Sequence, residues 1–310
     1  MPDILSVVLR AISFVLQLQA AGTVFFAAAF GPALTISLAG IRKVARLTAT
    51  AALCVVAAHY VLEAARMADD LAGMFDLSLQ TMAWDSTAGG AFTVRELGLL
   101  LIIAGMRAVP ARVTANQIFA ASVGSPLAVL LKRLTARGFT LVGVAGAVLV
   151  AVSFTLTGHT AVSPRRAFLA PLLLAHLLIV AFWFGALWPL CLVTLRESRD
   201  RTVRVINVFS AAALWLVPMI LVVGVGIAVA LLPGIDALRQ PYGELLIAKV
   251  ALFALLLVGA ALNKWRFGPA IGAGDLQAGR KFRGVVMVEY LFIVAVLSVT
   301  AVMTTYFSPE

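Results

Sequence analysis

Apolar residues run through this chain in long unbroken windows, without strand-like alternation. Stretches free of Asp, Glu, Lys and Arg cover 11–41, 138–164, 167–195, 205–235 and 290–309. They are 31, 27, 29, 31 and 20 residues long, and about 20 residues of helix cross ~30 Å of hydrocarbon. Backbone groups in lipid must be satisfied within their own segment, and no barrel-strand pattern is present, so the windows predict helices. Eight follow, at about 5–30, 45–66, 92–110, 138–158, 168–194, 205–231, 243–264 and 284–306. The predicted fold is all-α, a polytopic transmembrane helical bundle forming a single domain over 1–310, with no internal repeat.

Three places complicate this pattern. The third helix has a charge-free centre of only Leu97–Met106, which predicts Arg95 and Glu96 in its first turn, reaching outward. Residues 113–131 are charge-free too, but Thr114, Asn116, Gln117, Ser122, Ser125 and Pro126 make them too polar to span, which predicts a segment at the cytoplasmic face. Between the second and third helices, Met67, Leu71, Met74, Phe75, Ser78 and Met82 recur on one helical face. That spacing fits an amphipathic helix on the outer leaflet, or a thioether-lined lid, since Met sulfur is a soft ligand for Cu(I).

Composition agrees with the pattern and narrows the function. Apolar residues make up 62% of the chain and charged ones 12%, against roughly 25% charged in soluble domains. The longest stretch between spans, 111–137, is too short for a soluble catalytic domain. No His-Glu-x-x-His, Walker A or Gly-x-Ser-x-Gly sequence is present, and no enzyme is expected. The start, Met1-Pro2-Asp3, has no basic n-region, and the apolar stretch after it is longer than an h-region, which predicts a span and no cleaved signal peptide. Cys54 and Cys191 both fall inside predicted spans and give no disulfide framework.

A net charge of +10 would suggest nucleic acid in a soluble chain. Here it is a topology signal, and no nucleic-acid partner is expected. The loops after odd-numbered helices hold 17 of the 24 Lys and Arg residues, which predicts that those loops are cytoplasmic and both termini are outside.

On that topology the three histidines, His59, His159 and His176, all fall near the outer face. His59 could pair locally with Glu63 four residues on, and His159 fits a solvated loop. His176 lies within a span, where ionisable residues are costly and usually face a bundle interior. Together they are candidates for an outer-leaflet metal site, because neutral imidazole is the commonest protein metal ligand. Lys249 in helix seven and Glu289 near the inner end of helix eight either snorkel or find partners, with Glu96 or Glu244 as candidates for Lys249. Asn207 and Asn263, near inner helix ends, are expected to cap helices or bond between them.

The second half of the chain carries Gly158-His159-Thr160-Ala161, His176-Leu177-Leu178 and Phe182-Trp183-Phe184-Gly185-Ala186-Leu187-Trp188-Pro189-Leu190. Then come Tyr242-Gly243-Glu244-Leu245-Leu246, Lys249, Asn263-Lys264 and Val288-Glu289-Tyr290. In order and spacing these resemble the bacterial copper-resistance D (CopD/PcoD) family of inner-membrane proteins, over about 138–310. The resemblance implies copper handling, usually from the periplasm across the inner membrane, beside or fused to a small periplasmic copper-binding CopC domain. This chain has no such domain, so a separate CopC-like partner would deliver the metal. His159 and His176 are the positions the resemblance transfers, and His59 is added by topology.

An outer site of this kind would take Cu(II) on imidazoles, or Cu(I) on imidazole plus a thioether such as Met67 or Met303. Cys54, Met106, Met219 and Cys191 are scattered along the depth as candidate pathway groups, with Lys249 and Glu289 as polar ones. Two alternatives remain open. One is a haem-binding electron-transfer protein using His59 and His176. The other is a subunit that delivers copper without moving it across the membrane.

Overall fold

The computed structural model describes residues 2–107, 126–158, 161, 163–232, 234–275 and 277–307. Its elements in order are α1 (Pro2–Phe30), α2 (Ser37–Met67), α3 (Leu77–Asp85), α4 (Thr87–Gly105) and α5 (Pro126–Ser153). They continue with α6 (Arg166–Arg196), α7 (Arg199–Leu231), α8 (Pro241–Leu262), a π-helical turn (Asn263–Phe267), α9 (Gly268–Ala273) and α10 (Ala278–Tyr306). No strand occurs among the described residues. Seven helical segments there are long and apolar enough to cross a membrane, and Thr140–Leu156 is a shorter apolar one. The protein is a multi-pass membrane protein.

The helices are longer than the apolar windows. α2 begins at Ser37 and carries Arg42, Lys43 and Arg46 within it; α5 begins at Pro126, twelve residues before the predicted start. Charge bars a residue from hydrocarbon, not from a helix, so a span can continue beyond the bilayer. Pro126 also suits a first helical turn, where its missing N–H leaves no bond unmade. The surface segment predicted over 113–131 therefore gives way to helix from 126, and 113–125 lies outside the described residues.

The single helix predicted after Met67 is instead a 3-10 turn (Leu71–Phe75) followed by α3. Asp76 separates them: its backbone is extended, and its carboxylate accepts bonds from the Ser78 and Leu79 N–H groups, which starts a new helix. Those bonds, the Ser78 hydroxyl first, hold the Asp76 carboxyl below its ordinary range. An internal N-cap at Asp76 thus interrupts the apolar periodicity.

α1 is the central helix and touches α2, α4, α5, α6 and α10. It can lie at the centre because its buried face mixes small and polar residues, Ser13, Gln17, Gln19, Ala20, Ala21, Gly22 and Thr23. At its crossing with α6 a Cβ on Gly22 would fall on the Ala181 carbonyl oxygen, and one on Gly185 would fall on the Gly22 backbone. Gln19 Nε2 and Thr23 Oγ1 each reach the Gly185 carbonyl at 3.3 Å. α4 and α5 cross the same way, with a Gly98 Cβ 2.8 Å from the Gly146 oxygen. Small residues let membrane helices approach closely, which is how dispersion contacts hold a bundle together in lipid.

The two ends of the bundle differ. At the amino end Arg10 donates to the Thr304 carbonyl at 2.9 Å, and Arg66 joins Asp3 (3.0 Å) and Glu63 (3.2 Å), so both described chain ends meet there. At the other end Glu197, which follows α6, accepts five hydrogen bonds from Thr35, Ile36 and Ser37. That carboxylate closes the start of α2, whose N–H groups have no partners within the helix. We call this the clasp end.

Candidate functional site

α6 runs from the amino end towards the clasp end and places His176 about three turns below its start. The ring lies against α7: a Cβ added at Gly224 would touch its Cε1 at 3.4 Å and its Nδ1 at 3.8 Å. Lys249 of α8 is its charged neighbour. The Nδ1 atom of His176 is buried without a hydrogen-bond partner. Lys249 forms no ion pair among the described residues, so neither Glu96 nor Glu244 is its partner.

His59 has a different setting. Its Nε2 lies 3.2 Å from Ser6 Oγ and 3.5 Å from Arg10 Nε, both on α1. Arg10 lies 3.9 Å from Glu63, so the predicted His59–Glu63 pair is replaced by an arginine between them. His59 contacts Ser6 and Arg10 of α1, whereas His176 lies against Gly224 of α7. His159 lies outside the described residues. Among the described residues no group of three or more His, Cys, Asp or Glu is arranged to hold a metal ion.

The remaining candidates separate by exposure. Met67, at the end of α2, is 51% exposed, whereas Met303 is 3% exposed on the inner face of α10. Cys54 is exposed and Met219 is 49% exposed. Met106 is fully buried, and Cys191 packs partly buried against the core; both cysteines are free. The Arg95 expectation needs correction. Arg95 sits midway along α4, donates to Ser153 Oγ at 3.0 Å and lies 4.9 Å over the Phe154 ring. It turns inward because the end of α5 offers an oxygen acceptor and an aromatic face, which together suit a guanidinium.

Glu289 does not snorkel. It is 3% exposed, and its Oε1 accepts a 2.9 Å hydrogen bond from Asn263 Nδ2. Asn263 is 7% exposed and opens the π-helical turn that follows α8. Space for the carboxyl comes from Gly259, where a Cβ would lie 3.0 Å from Glu289 Cγ. Both residues line a cavity of ≈ 450 Å³ with Trp183, Phe209 and Ser210. The cavity lies where α7 and α8 leave a gap: α7 packs on α6 and α8 on α10, with few contacts between α7 and α8.

Sequence reasoning missed Arg10 as the partner of His59 and missed the Asn263–Glu289 pair, although it named both members of the latter. The available signal was the occurrence of an acid and an amide inside helices, where each needs a partner.

A polytopic helical membrane protein with polar residues paired inside its spans is the class these features define. The family model described as copper resistance protein D (CopD) matches residues 203–303, from α7 through most of α10. The match supports the CopD family and, with it, a function related to copper resistance. No curated protein and no solved structure matches the chain.

Proposed function

We propose that this protein takes up copper at the amino end of the bundle, facing the periplasm of a bacterial inner membrane, and moves it towards the cytoplasm. The orientation rests on the 17 of 24 basic residues assigned to loops on the clasp side. Copper as cargo rests on the CopD match over the helices that face His176.

The observation that carries the site is the buried, unpartnered Nδ1 of His176. A buried acceptor without a donor is unusual, and a neutral imidazole nitrogen is a ready copper ligand. His159 and Met303 are the further donors we assign, an imidazole and a thioether that suit Cu(I). Met67 is the entry-side thioether. His59 is left a structural role, because the Arg10 guanidinium points at the nitrogen a metal would need. A separate CopC-like protein delivers the metal.

Equilibrium copper binding to the purified chain tests this reading. About one copper per chain is expected, lost in His176→Ala and weakened in His159→Ala. Full binding by both variants would refute the site.

A further inference from the structure

We propose that the Glu289–Asn263 pair is an intramembrane proton-binding site, which holds a proton at rest and releases it when the cation crosses. Three observations lead there. First, the Glu289 carboxyl has one hydrogen bond and no ion pair among the described residues. A carboxylate buried in that way, without a cation, is costly, and neutralisation relieves the cost.

Second, a cation is at hand and unused. Lys264 lines the same cavity, yet no ion pair joins it to Glu289, and its Nζ lies 6.0 Å over the Trp265 ring. Among the described residues the other groups near Glu289 form no ion pair with it. Cys191 comes from α6, with Arg283 of α10 acting on it; α7 contributes Ser210, and Tyr290 follows on α10 itself.

Third, Asn263 Oδ1 is buried and has no donor. An ionised carboxylate can only accept, whereas a protonated one adds a single O–H donor. A proton on Oε2 would add to the pair the kind of donor that Oδ1 lacks, while Oε1 keeps the observed bond from Nδ2. The reverse amide orientation makes the same demand, because an oxygen placed against the carboxyl needs an O–H between them. The site also sits at a π-helical turn, an irregularity frequent at functional positions. On release the Oε2–H bond breaks, the proton passes to water at the clasp end, and Asn263 Nδ2 continues to bond the carboxylate. The coupling to cargo rests on the copper-transport reading; the resting protonation does not.

Infrared spectroscopy of the full chain in bilayers at pH 7 tests the protonation. A protonated-carboxyl band is expected that shifts on deuteration, shifts again in Asn263→Ala and is lost in Glu289→Gln. Because Gln keeps one donor and one acceptor, the fold is retained. The absence of any Glu289-dependent band at pH 7 overturns the proposal. Coupling is read from a pH dye inside proteoliposomes given copper on the amino-end side. Wild type is expected to show a pH change with uptake, whereas Glu289→Gln binds copper and loses both uptake and pH change. Wild-type uptake and pH signal in Glu289→Gln overturn the coupling. If wild type itself moves no copper, the transport reading fails, and the infrared band still decides the protonation.

Discussion

Glu197 accepts bonds from both the main-chain N–H and the hydroxyl of Ser37, at 2.8 and 2.7 Å, so the end of α6 caps the start of α2. Burial acts to raise the carboxyl's pKa, but the bonds from Ser37, Ile36 and Thr35 outweigh it and hold the group at about 2. A folded-state value below the ordinary 4.5 means stability that is fully present above 4.5 and is lost as pH falls through about 2. Glu197→Gln should cost about 1–2 kcal/mol at pH 7, as for a lost cap. In thermal unfolding, the gap to wild type should narrow steadily below pH 4.5.

Arg10 binds His59, the Thr304 carbonyl and Glu63 together, tying α1 to α2 and α10. Replacing it with Met leaves the partly buried His59 imidazole without a donor and returns the exposed Thr304 carbonyl to solvent, at about 1 kcal/mol. His59→Ala should lower thermal stability and leave copper stoichiometry unchanged. Loss of the bound copper in His59→Ala would return that histidine to the metal site.

The crossing of α1 and α6 leaves no room for a side chain. Gly185→Ala places its Cβ on the Gly22 backbone, where no rotamer change relieves it. Overpacking typically costs about 1–3 kcal/mol, and a backbone clash belongs at the top of that range. Gly90→Ala, at a position with nothing within 4 Å, is the matched control and should be silent in detergent melts.

Lys249 faces the imidazole we assign to copper and has no carboxylate partner among the described residues. Its charge repels an incoming cation. Lys249→Met should tighten copper binding by about tenfold or more, because a unit charge pair at an effective dielectric near 20 is worth about 4 kcal/mol at contact and less with separation. Titration against a copper-sensitive dye measures it, and weaker binding would make Lys249 an active participant.

Apolar windows located the membrane helices because the bilayer imposes one uniform demand on composition. Helix ends were misplaced where that demand stops: the basic residues Arg42, Lys43 and Arg46 continue α2 past its apolar part. Helix neighbours were not legible. Nothing in the local sequence brings Arg95 to Ser153 or Arg10 to His59, separated by 58 and 49 positions. Glu289 and Asn263 each stood out alone, and only packing of α8 against α10 joins them. His176 was legible as an isolated ionisable residue in a span, but its unpartnered nitrogen was not.

Copper uptake by vesicles reconstituted in known orientation tests the central claim most directly. Copper supplied on the amino-end side should accumulate inside, with uptake abolished in His176→Ala at unchanged protein insertion. Binding without accumulation in wild type, or equal accumulation in His176→Ala, would contradict the account.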